Sequence, residues 1–196
     1  MVKNLFIVQL FLKGGPIMIP IFLCSVIALA VILERIKFYR KIGKSPELFM
    51  KRVKAALLAR EYTEAMRLCK SEIHPLASII AAGIDHLDLN KEALLDVMRQ
   101  EALKQLKLFQ KNTAILSTIA TICPLLGLTG TVTGMISAFN IIGTIGVGDP
   151  TSLAAGISEA LYTTAAGLFV GIPSLVAYNW CENVTNNFCE QIEYYS

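Results

Sequence analysis

The chain has 196 residues and a formal net charge of +3; 54% of its residues are hydrophobic and its mean hydropathy is +0.56. The apolar residues lie in blocks, which favours a membrane protein over a soluble domain with a large core. Sixteen of the 18 Lys and Arg residues lie between Glu34 and Lys111, among ten acidic residues. Because a nucleic-acid surface needs a basic stripe with aromatic residues, this mixture of charges argues against nucleic acid as a partner.

The sequence carries no motif of an enzyme or of a metal site. It lacks a Walker motif, an HExxH pair and a nucleophile elbow. The cysteines form no CxxC pair and have no metal-ligand spacing with either histidine. We therefore expect no catalytic residue, no metal and no cofactor, and we expect free thiols. The cysteines are Cys24, Cys69, Cys123, Cys181 and Cys189.

The first predicted element is a transmembrane helix over residues 16–33, which follows a short N-terminal segment, 1–15. The span carries no charge, and about 20 apolar residues suffice for a helix to cross a bilayer. A cleaved signal peptide is the alternative, because residues 28–30 imitate a cleavage site. However, the apolar run continues past Ala30, and the basic residues that begin at Arg35 resist translocation. We therefore expect an uncleaved span with a periplasmic N-terminus.

Residues 34–111 are predicted to form a cytoplasmic domain made of helices, because the basic residues concentrate there. Short helices are expected at about 47–59, 61–71 and 75–87 from the spacing of apolar residues and from the helix-start signals. Asn90 is expected to cap the helix that follows.

Further predictions concern individual helix ends. Ser45 and Pro46 indicate a helix start, with a capping hydroxyl followed by Pro at the first helical position. His74 is interpreted as a turn residue. No break is predicted after helix 91–111, so residues 91–145 are expected to form one rod of roughly 80 Å.

The long apolar stretch 112–181 is predicted to hold two more spans. It contains no Lys or Arg and two acidic residues, Asp149 and Glu159. Asp149 lies in a turn-like run, so it divides the stretch into halves that are each long enough to cross a bilayer. The predicted parts are a second span at 112–145, a periplasmic loop at 146–151, a third span at 152–181 and a cytoplasmic tail at 182–196.

Small residues recur along one face of each of these two spans. They let helix backbones approach closely where lipid supplies no hydrophobic drive for association. In the third span, Ala155, Glu159 and Thr163 continue this row at every fourth residue. We assign a helix-packing role to Gly127, Gly130 and Gly134 in the second span and to Gly167 and Gly171 in the third.

Glu159 is the leading functional candidate, because a carboxylate inside a spanning helix costs roughly 2.5–3.5 kcal/mol on insertion scales. Desolvation favours its neutral form, so this group can accept and release a proton within the membrane. Thr163 lies one turn further on the same face, whereas Thr164 is about 140° away in an ideal helix. The alternative is a structural role, in which a protonated Glu159 bonds to a neighbouring helix.

Three segments resemble the MotA/TolQ/ExbB proton-channel family, and within it the ExbB and TolQ branch: VILERIKFYRK (31–41), PLLGLTGTVTGM (124–135) and GISEALYTTAAGLFVGIPS (156–174). The resemblance covers nearly the whole chain. It implies an all-α integral membrane protein with three transmembrane helices, of which the long second and third extend into the cytoplasm. It further implies a ring, expected to be a homopentamer, with the second and third spans around a central pore and the first outside.

The resemblance also implies a function. In the bacterial inner membrane, proton flow through the ring would drive a dimer of ExbD-like or TolR-like single-span partners, and a TonB-like or TolA-like protein would receive the work. The family's pore Glu falls on Glu159, and its two threonines fall on Thr131 and Thr164. Thr163 joins this proton-translocation set on the geometric ground above. Thr133 stands where the family often has an aromatic residue. The packing role of that aromatic residue therefore does not carry over to Thr133.

Two other functions stay open on the sequence alone. One is a TolQ-like subunit of the Tol-Pal motor, although the short chain and small first loop favour ExbB. The other is a non-conducting membrane scaffold, which would tolerate the loss of the Glu159 charge but not bulky residues at Gly130 or Gly134. The sequence also leaves H⁺ and Na⁺ open, since hydroxyl oxygens bind either ion.

Overall fold

The computed structural model describes residues 15–42, 46–145 and 150–195, and every regular element among them is an α-helix. The predicted all-α class is therefore confirmed for the described part of the chain. The helices are α1 (Met18–Ile42), α2 (Glu47–Leu58), α3 (Tyr62–Ser71), α4 (Pro75–Asp85), α5 (Lys91–Phe109), α6 (Thr113–Ile145) and α7 (Pro150–Tyr195).

Three stretches are long and apolar enough to cross a bilayer, judged by length and composition: Met18–Ile42, Lys91–Asn140 and Ala154–Tyr195. They correspond to α1, to α5 with most of α6, and to most of α7, which confirms the three long apolar helices of the prediction. Large apolar side chains cover their surfaces; Phe139 and Phe169 are each 66% exposed. Surfaces of this kind are suited to contact with lipid or with other protein.

The chain divides into two compact units. The apolar unit comprises Met1–Leu33 and Asn112–Trp180, and the charged unit comprises Glu34–Lys111 and Cys181–Ser196. Helices α1 and α7 are each divided between the two units: one part of the helix belongs to the apolar unit and the other part to the charged unit. Among the described residues, every Lys and Arg lies in the charged unit.

The predicted rod over residues 91–145 is interrupted. Helix α5 ends at Phe109, Gln110 forms its C-cap, and α6 begins only at Thr113. Between them Asn112 has a φ of +61°, a left-handed conformation that Asn adopts more readily than most residues. The prediction of one continuous helix was therefore wrong, because a single left-handed residue ends a helix without any Gly or Pro to mark the site.

Arg35 and Tyr39 stabilise the C-terminal end of α5 within the charged unit. Arg35 is 2% exposed, and its Nη1 donates to the carbonyl oxygens of Leu108 at 2.9 Å and Phe109 at 3.4 Å. The Tyr39 hydroxyl donates to the Phe109 carbonyl at 2.9 Å. The last carbonyls of a helix lack partners within it and attract cations. Glu34 balances the buried charge through a 2.8 Å ion pair, so Arg35 is a buried clamp as well as part of a basic segment.

The helices α2, α3 and α4 lie where the sequence predicts short helices, and their ends agree to within two residues. Asn90 caps α5 as predicted, since its Oδ1 accepts a hydrogen bond from the Ala93 N–H at 2.8 Å. Pro46 directly precedes α2 instead of occupying its first position. The predicted Ser45 cap lies outside the described residues, as do residues 1–14 and 146–149.

His74 is more than a turn residue, because it caps the N-terminus of α4. Its Nδ1 accepts a hydrogen bond from the Leu76 N–H at 3.3 Å, and its ring lies 6.2 Å from that of Phe188. The side chain is buried, and burial lowers its pKa below the ordinary 6.5, against the opposing charge of Glu72. The folded charged unit therefore holds His74 as a neutral imidazole that accepts through Nδ1.

Acidification should weaken the fold through His74. The stability that the neutral ring provides is complete above the unfolded-state pKa of about 6.5 and is lost as the pH falls through the lower folded-state pKa. We expect the melting temperature in detergent to fall between about pH 7.5 and pH 5 by less in His74→Asn than in the wild type, because Asn caps a helix without titrating in this range.

The other histidine provides the matched control. His86 is exposed, and its Nδ1 lies 2.9 Å from the Ala82 carbonyl. His86→Asn should keep the full pH dependence of the wild-type melting temperature. Equal pH dependence in the wild type and in His74→Asn would contradict the role given to His74.

Candidate functional site

Helices α6 and α7 pack against each other along a row of five glycines, which we call the glycine seam. A methyl group added at any of them would overlap an atom of the facing helix. It would lie 2.9 Å from the Thr164 Cα at Gly127, and 2.9 Å from the Ala160 Cβ at Gly134. The two backbones are thus in close contact, which small residues make possible. The seam comprises Gly127, Gly130, Gly134, Gly167 and Gly171.

Glu159 extends from α7 beside the seam and is exposed on the surface of the isolated chain. It borders a pocket of about 150 Å³ within the apolar unit. It is the one acidic or basic side chain among the residues of that unit that the structure describes. The pocket is lined by Pro16, Ile17, Gly130, Thr133, Gly134, Ser137, Gly156, Glu159 and Thr163.

Thr163 and Thr164 both contact α6, but in different ways. Thr163 is 2% exposed and lines the pocket, and its hydroxyl donates to the carbonyl oxygens of Ala160 at 2.8 Å and Glu159 at 3.1 Å. The Thr164 hydroxyl instead crosses the seam and donates to the Gly127 carbonyl at 3.0 Å. Thr163 is therefore the one beside the carboxylate pocket, and Thr164 bonds the two helices together.

Thr131, which the family resemblance selects, is not among the residues that line this pocket. Its hydroxyl donates to the Leu128 carbonyl of its own helix at 2.6 Å. Thr133 and Ser137 line the pocket in its place, and neither of them is among the predicted site residues. Their spacing from Gly130 was the available signal, because residues three or four apart share one face of a helix.

The oxygen atoms around the pocket suit a proton-carrying carboxyl group. The Thr133 hydroxyl donates to the carbonyls of Thr129 at 3.0 Å and Gly130 at 3.2 Å, so its hydrogen is engaged. The hydrogen of Thr163 is engaged as well. A hydroxyl oxygen retains acceptor lone pairs, and both can therefore accept a hydrogen bond from a protonated Glu159 or from water. Each water needs about 30 Å³ of liquid volume, so the pocket has room for several.

The described residues contain no group of three or more His, Cys, Asp or Glu side chains that could hold a metal ion. The five cysteines are free thiols. The pocket itself offers one carboxylate, the hydroxyl groups that line it and room for water.

Three apolar stretches long enough to cross a bilayer, with close glycine packing between α6 and α7, are the features of an integral membrane protein. The chain belongs to the MotA/TolQ/ExbB proton channel family, whose model matches residues 71–194. The matched stretch contains α6, all but the last residue of α7, and Glu159. The family resemblance inferred from the motifs is thus confirmed.

Named relatives cover most of the chain. The ExbB-like 1 biopolymer transport protein of Synechocystis sp. is 30% identical over 190 residues, which are 95% of this chain and 73% of that protein. The biopolymer transport protein ExbB of Neisseria gonorrhoeae is 27% identical over 199 residues, covering 93% of this chain and 90% of its own. The Tol-Pal system protein TolQ of Pseudomonas aeruginosa is 34% identical over 97 residues, 50% of this chain and 42% of its own.

The close packing at the glycine seam predicts that larger side chains there lower the stability of the protein. A methyl group at Gly130 would overlap the Thr163 side chain, and overpacking of this kind typically costs about 1–3 kcal/mol. We expect Gly130→Ala to lower the melting temperature of the purified protein in detergent.

Gly143→Ala is the matched control in the same helix, because a methyl group there has open space around it. It should leave the melting temperature unchanged or raise it, since Ala favours a helix by about 1 kcal/mol over Gly. If both variants were as stable as the wild type, the close packing at Gly130 would be refuted.

Proposed function

We propose that this chain is an ExbB-like subunit of a motor that is driven by the proton-motive force in the bacterial inner membrane. Together with a dimer of an ExbD-like single-span partner, it energises TonB-dependent transport across the outer membrane through a TonB-like protein. The ExbB name of relatives that cover more than 90% of this chain supports this branch of the family.

The observation that carries the proposal is the setting of Glu159. In a unit otherwise without acidic or basic side chains among its described residues, this carboxylate borders a pocket that also holds hydroxyl oxygens. A charged group at membrane depth is costly unless it serves a function or finds a partner. We assign Glu159 to accept a proton from one side of the membrane and release it to the other.

In this proposal the threonines have different roles. Thr163 and Thr133 present oxygens that accept hydrogen bonds from the protonated carboxyl or from water in the pocket. Thr164 holds α7 against α6 through the Gly127 carbonyl, which keeps Glu159 in register with the pocket. Thr131 belongs to the proton path further along α6, at the surface that faces the partner or the neighbouring subunit.

In our proposal several copies of the chain form a ring, expected to be a homopentamer, around the partner dimer. The exposed apolar side chains of α6 and α7 support this assembly, because they offer a broad surface for neighbouring subunits and partner helices. The partner's single spans lie within the ring and complete the proton path beside Glu159.

The proposed orientation places the N-terminus in the periplasm and the C-terminus in the cytoplasm. The basic residues that follow the first span support this, because such residues remain on the cytoplasmic side. Helix α7 has 46 residues, far more than the ~20 that cross a bilayer. We assign the excess, together with the charged unit, to the cytoplasm.

A TolQ-like role in a Tol-Pal motor is the second candidate, supported by the likeness to TolQ over half of the chain. It shares the proton step at Glu159 and differs in the partners, a TolR-like dimer and a TolA-like protein. Complementation of strains that lack one system or the other separates the two. A non-conducting scaffold is the third, and the glycine seam is the observation that favours it.

The central test is Glu159→Gln, introduced at the chromosomal copy of the gene. We expect uptake of a TonB-dependent substrate to fall to the level of cells without the protein, because the amide cannot carry a proton. Native mass spectrometry of the purified complex should show an intact ring.

Glu182→Gln is the matched control, since Glu182 is also an exposed acid of α7 but lies in the charged unit. It should leave uptake unchanged. Normal uptake in Glu159→Gln would assign the carboxylate a structural role or the chain a scaffold function. Loss of the ring in that variant would mean that Glu159 serves assembly.

A further inference from the structure

We propose that Gly15 is a positioning residue for Glu159, and that the turn at residues 15–17, directly before α1, forms one wall of the ion site. The inference rests on the proposed function of Glu159 as the proton carrier. It gives the first span a part in the proton step, whereas the family resemblance places that span outside the pore.

The geometry at Gly15 carries the inference. One carboxylate oxygen of Glu159, Oε1, occupies the space that a Cβ atom on residue 15 would fill. Gly15 also has a φ of +66°, a conformation that residues with a side chain seldom adopt. Two independent conditions therefore require glycine here, and one of them is contact with the carboxylate.

The residues after Gly15 extend this contact into a wall. Pro16 and Ile17 line the same pocket as Glu159, together with residues of α6 and α7. The pocket is thus built from the turn before α1 and from two helices, three segments that include residues far apart in the sequence. A side chain on residue 15 would take the position of the Glu159 Oε1 atom and so displace the carboxylate within the pocket.

The wall is fixed to the rest of the apolar unit. The Gly15 carbonyl accepts a hydrogen bond from the Met18 N–H at 3.2 Å, which ties Gly15 to the first turn of α1. Met18 is 2% exposed and Ile21 is fully buried, and both pack against Ala166 of α7. Because the start of α1 is anchored on the helix that carries Glu159, Gly15 stands at a defined place beside the carboxylate.

The test is the Glu159-dependent proton flux in Gly15→Ala. A pH-sensitive fluorescent protein in the cytoplasm records acidification after the external pH is lowered, and the rate in Glu159→Gln is subtracted. We expect the flux to fall about tenfold, because a displacement of about 1 Å at a reacting group has effects of that order or larger. Gly143→Ala, a glycine with open space in α6, should leave the flux unchanged.

The pH profile separates positioning from backbone strain at the positive φ. Glu159 is the one acidic, basic or His side chain among the residues that line the pocket, so the pH midpoint of the flux reports its surroundings. Displacement of the carboxylate in Gly15→Ala should shift this midpoint. A lower flux with an unchanged midpoint would assign the effect to strain and overturn the inference.

A second variant removes part of the wall and leaves Gly15, with its positive φ, unchanged. Ile17→Ala should also shift the pH midpoint, because Ile17 lines the pocket. Ile19→Ala is its matched control, since Ile19 lies on the same segment and is 66% exposed. If Gly15→Ala fails to form the ring, the comparison of Ile17→Ala with Ile19→Ala tests the inference alone. Equal pH midpoints in these two variants would then show that the residues before α1 form no wall of the ion site.

The outcomes distinguish this inference from the function on which it rests. If Glu159→Gln retains the proton flux, the proposed function fails first. If Glu159→Gln loses the flux while Gly15→Ala keeps the wild-type flux and midpoint, only the role of Gly15 is refuted.

Discussion

The close approach of α6 and α7 is the contact on which the candidate site depends. A bilayer provides no hydrophobic drive between helices, so their association relies on van der Waals packing and on hydrogen bonds between them. The bond from the Thr164 hydroxyl to the Gly127 carbonyl forms across this seam, and the absence of a side chain at Gly127 leaves room for it. Glu159 lies at the edge of the seam, because Gly130 and Gly134 also line its pocket. The packing of the two spans thus determines where the carboxylate stands.

Much of this could be predicted from the sequence, because the signals are local. Glu159 stands out against a long run without basic residues, and the glycines recur at helical spacing. The Asn90 cap and the three short helices of the charged unit follow from patterns within a few residues. The family could be inferred for the same reason, since the motifs in the second and third spans are continuous in the chain.

The remaining features depend on contacts between distant residues. The Arg35 clamp joins α1 to carbonyls more than 70 positions away, and nothing near Arg35 in the sequence indicates that it is buried. The break at Asn112 follows from one left-handed residue, and Asn indicates a helix end less strongly than Gly or Pro does. Thr133 and Ser137 line the pocket instead of Thr131, because the facing helix and the turn before α1 decide which side of α6 the pocket borders. The spacing of apolar residues in the sequence predicts which residues share a face of a helix, but it does not predict which other helix or turn packs against that face.

Gly130 and Gly134 belong to both the seam and the pocket, which limits what substitutions at these positions can reveal. A side chain there separates the helices and reshapes the pocket together, so a loss of transport would have two causes. Glu159 and Gly15 differ from them, because both border the ion site and neither lies in the seam. In our proposal their contact joins the first span to the third, so that movement of the start of α1 and movement of the carboxylate are coupled. The step that carries the proton would then involve all three spans, although the family's pore residues fall on the second and third spans only.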